Sequence, residues 1–310
     1  MRVAAAQIAP VFLDRDATLD RVVAQIDAAA DAGAQLVAFG EALVPGYPFW
    51  LSRLDAARFE APEVKNLHAL SVEAAVTITD GHLDGVCAAA RRREIAVVLG
   101  IVERPRDRGA SQYCSAVTIL PSGAVASVHR KLMPTWEERL AWGVGDGAGL
   151  VTHRLGPFTV GALNCWENWM PLARAALQAQ GEDLHVAIWP GSTGLTRDIT
   201  RFAAREGRSF VLAAGALLRQ SDIPADLPCR DRILAGAPEL LYDGGSAIAG
   251  PDGEWIVAPV SGREGLVVAD LDPRRVLEER HNFDPSGHYA RPEVLGLTID
   301  RRRHSALRDE

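Results

Sequence analysis

Short apolar runs alternate with longer amphipathic stretches along nearly the whole chain, and that alternation most restricts what it can fold into. Residues 3–8 read as a first strand. Residues 16–32 read as a helix with Leu19, Val22, Val23, Ile26 and Ala30 near the helical period, stopped by Gly33. Leu36, Val37, Ala38 and Phe39 are too few and too uniformly apolar for a surface helix, so they read as a buried strand that delivers Glu41 at its end. The same reading predicts helices over 72–92, 170–180, 196–207 and 273–280. It predicts strands over 95–102, 113–120, 125–131, 158–164, 186–189, 210–216, 245–249, 255–259 and 265–270. Pro121-Ser122-Gly123 and Gly250-Pro251-Asp252-Gly253 are hairpin turns between neighbouring strands. Hairpins mixed with crossovers indicate an α/β chain with mixed sheets and helices packed outside, in one domain without linker or repeat.

Composition removes several function classes. The 310 residues carry a formal charge of −7 and no block of five Lys/Arg that could track a phosphate backbone, so nucleic acid is not an expected partner. The short runs Arg91-Arg92-Arg93 and Arg301-Arg302-Arg303 read as solvated faces or helix ends. Cys87, Cys114, Cys165 and Cys229 lack CxxC spacing, so reduced thiols in a cytoplasmic protein are expected. The N-terminal stretch has one basic residue and is interrupted by Gln7, unlike a secretory signal, and no apolar run is long enough for a membrane span. The histidines lack metal-ligand spacing, so neither metal nor cofactor is expected.

Three segments place unusual polar residues at the ends of apolar strands, where α/β proteins commonly present reactive groups. The first runs from Phe39 through Glu41 to Pro45-Gly46-Tyr47-Pro48. A carboxylate directly after a buried strand is costly unless it is paired or kept as a working acid or base. The second runs from His129-Arg130-Lys131-Leu132 through Pro134-Thr135-Trp136 to Glu137-Glu138-Arg139. An ammonium there can stabilise an oxyanion, and a Glu two turns on can return to the same pocket. The third is Asn164-Cys165-Trp166-Glu167-Asn168-Trp169-Met170-Pro171, a thiol closing a strand at a strand-to-helix junction. Backbone N–H groups at such a junction would favour a thiolate. Cys87 and Cys114, mid-helix and mid-strand, read as packing residues, and Cys229 has no helper nearby. Taken singly, Glu41 reads as a loop residue and the Lys131 segment as a surface charge cluster. Together, Glu41, Lys131, Glu138 and Cys165 supply a base, an oxyanion stabiliser, a second acid and a nucleophile without a histidine.

With these motifs the chain resembles the nitrilase superfamily from its first strand to about Pro292, and Cys165-Trp166-Glu167-Asn168 looks like its nitrilase branch. His281-Asn282-Phe283-Asp284 and the segment from Gly287 to Pro292 look like the terminal part of that branch. The resemblance implies a four-layer α-β-β-α sandwich and a Glu41–Lys131–Cys165 triad with Glu138. It implies hydrolysis of a small organic nitrile to acid and ammonia through a thioimidate and a thioester on Cys165. The alternative within the superfamily is an amidase or carbamoylase with the same four residues. A dead scaffold would need one of them lost, and none is. Tyr47, Trp136, Trp166 and Trp189 are the expected aromatic lining of the substrate pocket. Residues 281–310 are expected as a C-terminal extension of the one domain, at a subunit interface of a homodimer or larger homo-oligomer. Gly40 stands where the family often has Pro, which suggests a more permissive loop before Glu41.

Overall fold

The computed structural model describes residues 1–306. Its strands, in chain order, are β1 (Arg2–Gln7), β2 (Leu36–Phe39), β3 (Ala96–Glu103), β4 (Tyr113–Ile119), β5 (Val125–Arg130), β6 (His153–Leu155) and β7 (Phe158–Asn164). They continue with β8 (Leu184–Trp189), β9 (Phe210–Gly215), β10 (Leu217–Arg219), β11 (Leu240–Ala249), β12 (Trp255–Ser261) and β13 (Gly265–Asp270). The helices are α1 (Arg15–Asp31), α2 (Trp50–Arg53), α3 (Pro62–Ala74), α4 (Asp84–Arg93), α5 (Pro171–Gln178), α6 (Thr193–Gly207), α7 (Arg230–Leu234) and α8 (Arg274–Arg280).

One sheet has the order β13-β1-β2-β3-β4-β5 and the other β10-β11-β9-β8-β7-β6, with β12 paired to β11. Both are mixed: β1, β2 and β3 run parallel, as do β7, β8 and β9, while the flanking pairs are antiparallel. Alternate residues of each central strand serve two different cores. Val3, Ala5, Leu36, Ala38 and Val98 face Phe158, Val186, Phe210 and Leu212 between the sheets. Ala4, Ala6, Val37, Phe39 and Leu99 face outward onto Val22 and Ile26 of α1 and Val86 and Ala89 of α4. On the far side Ala187, Val211 and Ala213 pack on Ile199, Ala203 and Ala204 of α6. Helices therefore cover both outer faces, giving the expected α-β-β-α sandwich. Strands buried on both faces read as uniform apolar runs, which is why they were legible in the sequence.

The helix expected over 72–92 is two helices. After α3 the chain is extended at Val76, which is tied to the end of β3, donating to the Val102 carbonyl and accepting from Arg104 N–H, both at 2.8 Å, and a 3-10 turn follows at Ile78–Asp80. Gly81, with φ of 80°, then turns the chain into the second piece. β11 starts five residues before the expected 245, since Gly244 and Gly245 hid its first half. The segment after α8 runs back over the second sheet: Ile299 packs with Leu150, Leu163 and Leu177, and Arg303 reaches the buried Asp146 at 3.1 Å. Residues 307–310 of the expected extension lie outside the described residues. Among the described residues no helix is long and apolar enough to cross a membrane.

Candidate active site

Four segments meet where β2, β5, β7 and β8 end. Glu41 follows β2 after Gly40, and its N–H donates to the Trp189 carbonyl at the end of β8 at 3.0 Å, tying the two sheets together. Gly40 is not a permissive joint. A Cβ there would sit 2.7 Å from Ala216 N and 2.9 Å from the Trp189 carbonyl oxygen, so the position is closed to any side chain. Lys131 directly follows β5, and its N–H donates to the Cys114 carbonyl of β4 at 2.8 Å. Glu138 lies in a short 3-10 turn, Trp136–Leu140, where it also closes a capping box with Thr135. Cys165 opens the 3-10 turn Cys165–Trp169 after β7, with φ of 48° in the left-handed region.

The side chains converge. The Lys131 ammonium donates to Glu41 Oε1 at 2.8 Å and to Glu138 Oε2 at 2.7 Å, with all three residues fully buried. One oxygen of Glu41, one of Glu138 and Cys165 Sγ lie within 4.8 Å of one another. Glu41 Oε2 is buried and has no hydrogen-bond partner among the described residues. The Tyr47 hydroxyl donates to Glu138 Oε1 at 2.8 Å.

Burial sets the resting protonation. It pushes the Glu41 carboxyl up to about 7, against the opposing pull of Lys131. It also pushes the Cys165 thiol well above its usual value, helped by the Glu41 charge. The thiolate-favouring junction expected from sequence is thus outweighed: the Trp166 N–H does pull the thiol down, but desolvation and two carboxylates prevail. For Lys131, burial opposes charge, yet Glu41, Cys165, Cys114 and Glu138 together hold the ammonium well above its ordinary range. The arrangement is a neutral thiol beside a carboxyl poised near neutrality and a permanently charged ammonium.

Of the four aromatic residues expected around the substrate, Tyr47 and Trp189 sit beside the converging side chains. Tyr47 lines the cavity beside Glu41, together with Pro190, Leu217 and the unforeseen Tyr242. Trp189 is buried in the same apolar cluster as Cys165. Trp136 and Trp166 are 81% and 46% exposed. The cavity is about 10 Å³, roughly one water.

Two neighbours escaped sequence reading. Cys114, read as packing, places its thiol 3.2 Å from Glu41 Oε1. Glu167 accepts from His129 Nε2 at 2.9 Å, from Leu132 N–H at 2.9 Å and from Asn164 N–H at 3.0 Å, so it clamps the turn after β5 to the turn that carries Cys165. His129 and Lys131 at alternate positions were a local hint, but the Cys114 contact depends on the β2–β3–β4 order and register, with Val102 of β3 opposite Cys114, which local pattern does not contain.

A family model described as Carbon-nitrogen hydrolase matches residues 2–280. The chain is 37% identical to an aliphatic nitrilase of Rhodococcus rhodochrous, over 99% of this chain and 81% of that protein. It is 38% identical to a nitrilase of Pseudomonas syringae pv. syringae (strain B728a), over 97% of this chain and 90% of the relative. In fold it is similar to a carbon-nitrogen hydrolase from Helicobacter pylori G27, with a TM-score of 0.70 at 18% identity, over 94% of this chain and 96% of the other.

Proposed function

The chain belongs to the carbon-nitrogen hydrolase family, and from that premise we propose that it is a nitrilase that converts a small organic nitrile to the carboxylic acid and ammonia. The observation that carries the mechanism is a buried Glu41 carboxyl, paired on one oxygen with the charged Lys131 and with a carboxyl oxygen within 4.8 Å of the protonated Cys165 thiol. Glu41 takes the Cys165 proton as Sγ attacks the nitrile carbon, and proton delivery to nitrogen gives a thioimidate. Water, deprotonated by Glu41, adds to that carbon. Ammonia leaves with its proton, and a thioester remains. A second water, activated in the same way, releases the acid and restores the thiol. Lys131 and the Trp166 N–H hold the charge of the tetrahedral intermediates, and Glu138, anchored by Tyr47, fixes the ammonium.

Nitriles rather than amides are favoured because the curated relatives that cover nearly all of this chain are nitrilases. The test is ammonia release from parallel panels of nitriles and amides, with mass spectrometry of quenched reactions. A covalent adduct on the Cys165 peptide from nitriles is expected. Adducts from amides alone would overturn the nitrilase reading in favour of an amidase or carbamoylase.

The same reading makes 1–310 one domain of a cytoplasmic homo-oligomer, with 281–310 at a subunit interface. Support for the oligomer alone comes from Trp166, Trp169, Leu172, Leu195 and Phe202, large apolar side chains exposed on the single chain. Light scattering should give at least a dimer mass, and a monomer would count against it.

A further inference from the structure

Behind the nucleophile turn lies a second buried polar cluster that the proposed reaction does not use. Glu182, His185 and Asn168 are all buried. His185 Nδ1 is 2.8 Å from Glu182 Oε1, and its Nε2 is 2.7 Å from Asn168 Oδ1. Asn168 Nδ2 donates to the Cys165 carbonyl at 2.8 Å and faces the Leu163 carbonyl at 3.4 Å. Two carbonyls on that side fix which amide atom is nitrogen, so Oδ1 must face the ring. His185 Nε2 therefore carries a proton that it donates to Asn168, and a second proton lies between Nδ1 and Glu182. The chain makes room for this. Gly161 pairs with His185 across β7 and β8, and a Cβ there would lie 2.2 Å from Glu182 Oε1. The Asn168 carbonyl is held in turn by the Arg174 guanidinium, which is paired with Glu206.

The atom at the end of this chain is the carbonyl of Cys165, the residue whose backbone occupies the left-handed region. A non-glycine residue there persists only where its surroundings hold it. We propose that Glu182, His185 and Asn168 are a positioning relay: they fix the Cys165 carbonyl, hold the turn in its left-handed conformation, and so aim Sγ at Glu41 and the substrate carbon. Asn168 does this by direct contact and His185 by fixing the Asn168 amide. None of the three touches the reacting atoms.

This inference rests on Cys165 being the nucleophile, so its test must separate the two. The rate of Cys165 alkylation by iodoacetamide, read by peptide mass spectrometry, reports presentation of the thiol with no nitrile involved. Loss of nitrile turnover in Cys165→Ala checks the nucleophile itself, and retained turnover would sink that reading and the relay with it. Asn168→Ala and His185→Leu should lower kcat and the alkylation rate together, by about 10²-fold for an ångström-scale misplacement, with KM changed far less. His185→Gln, which keeps a donor near Nε2, should recover most of both. Should His185→Leu fail to fold, Asn168→Ala decides. If Cys165 is essential while folded Asn168→Ala alkylates and turns over at the wild-type rate, the relay is overturned. It is equally overturned if the variants lose only thermal stability with unchanged kcat, which is the signature of packing.

Discussion

Glu41 and Cys165 are both held in their protonated direction by burial, so the proton that must move during attack starts on sulfur and needs an ionised carboxylate to receive it. Because Glu41 is pushed up to about 7, kcat/KM should rise with pH through that region as the carboxyl ionises. A profile flat from pH 5 to 9 would remove Glu41 as base. The Cys114 thiol favours the ionised form of Glu41, so Cys114→Ala should keep turnover but move this acid limb to higher pH. Cys87→Ala and Cys229→Ala should leave the profile in place. Glu138 is buried on Lys131 whereas its neighbour Glu137 is half-buried. Glu138→Gln should therefore cost kcat about 10²-fold or more, and Glu137→Gln little. Equal small losses would return Glu138 to a structural role.

At the scale of elements, the site is assembled by turns, and Glu167 is the tie between two of them. Its carboxyl is held below the ordinary range: burial raises it, but the His129 ring and two backbone N–H groups outweigh that. A carboxylate depressed by folding contributes stability that is present above its unfolded value and lost as pH falls through the folded one. Glu167→Ala strands three donors, two of them on the buried His129 and Asn164, so it should cost about 3–5 kcal/mol at pH 7, read from urea unfolding. The gap to wild type should shrink below about pH 4. A gap that stays constant into acid would mean that lost packing, not the charge, was responsible.

Over the whole molecule, the described C-terminal segment straps the second sheet to the loop behind Lys131. Arg303 and the His304 N–H both bind Asp146, and Gly145 N–H donates to the Lys131 carbonyl at 2.9 Å. Truncation after Leu297 leaves the Asp146 carboxylate buried without those partners. The expected loss is about 1–3 kcal/mol, seen as a lower thermal midpoint. An unchanged midpoint would show that the strap adds nothing to the fold of the single chain.

What the sequence determined by itself was whatever repeats locally: the doubly buried strands, the helices between them, and Glu41, Lys131 and Cys165 set at strand ends with Glu138 seven residues after Lys131. Hydrophobic period reports which face of an element is buried, and strand ends follow from where the run stops. Tertiary structure alone decided what those ends meet. Cys114 of β4 reaches Glu41 at the end of β2 across the intervening β3, His185 reaches Asn168 from the next parallel strand, and Tyr242 enters the cavity from β11. Such contacts are set by strand order and register between distant segments, and a residue's local pattern is the same whichever partner the sheet brings beside it. The same holds for Trp136 and Trp166: aromatic character suggested the lining of the substrate pocket, but the turns after β5 and β7 leave both rings open to solvent on the single chain.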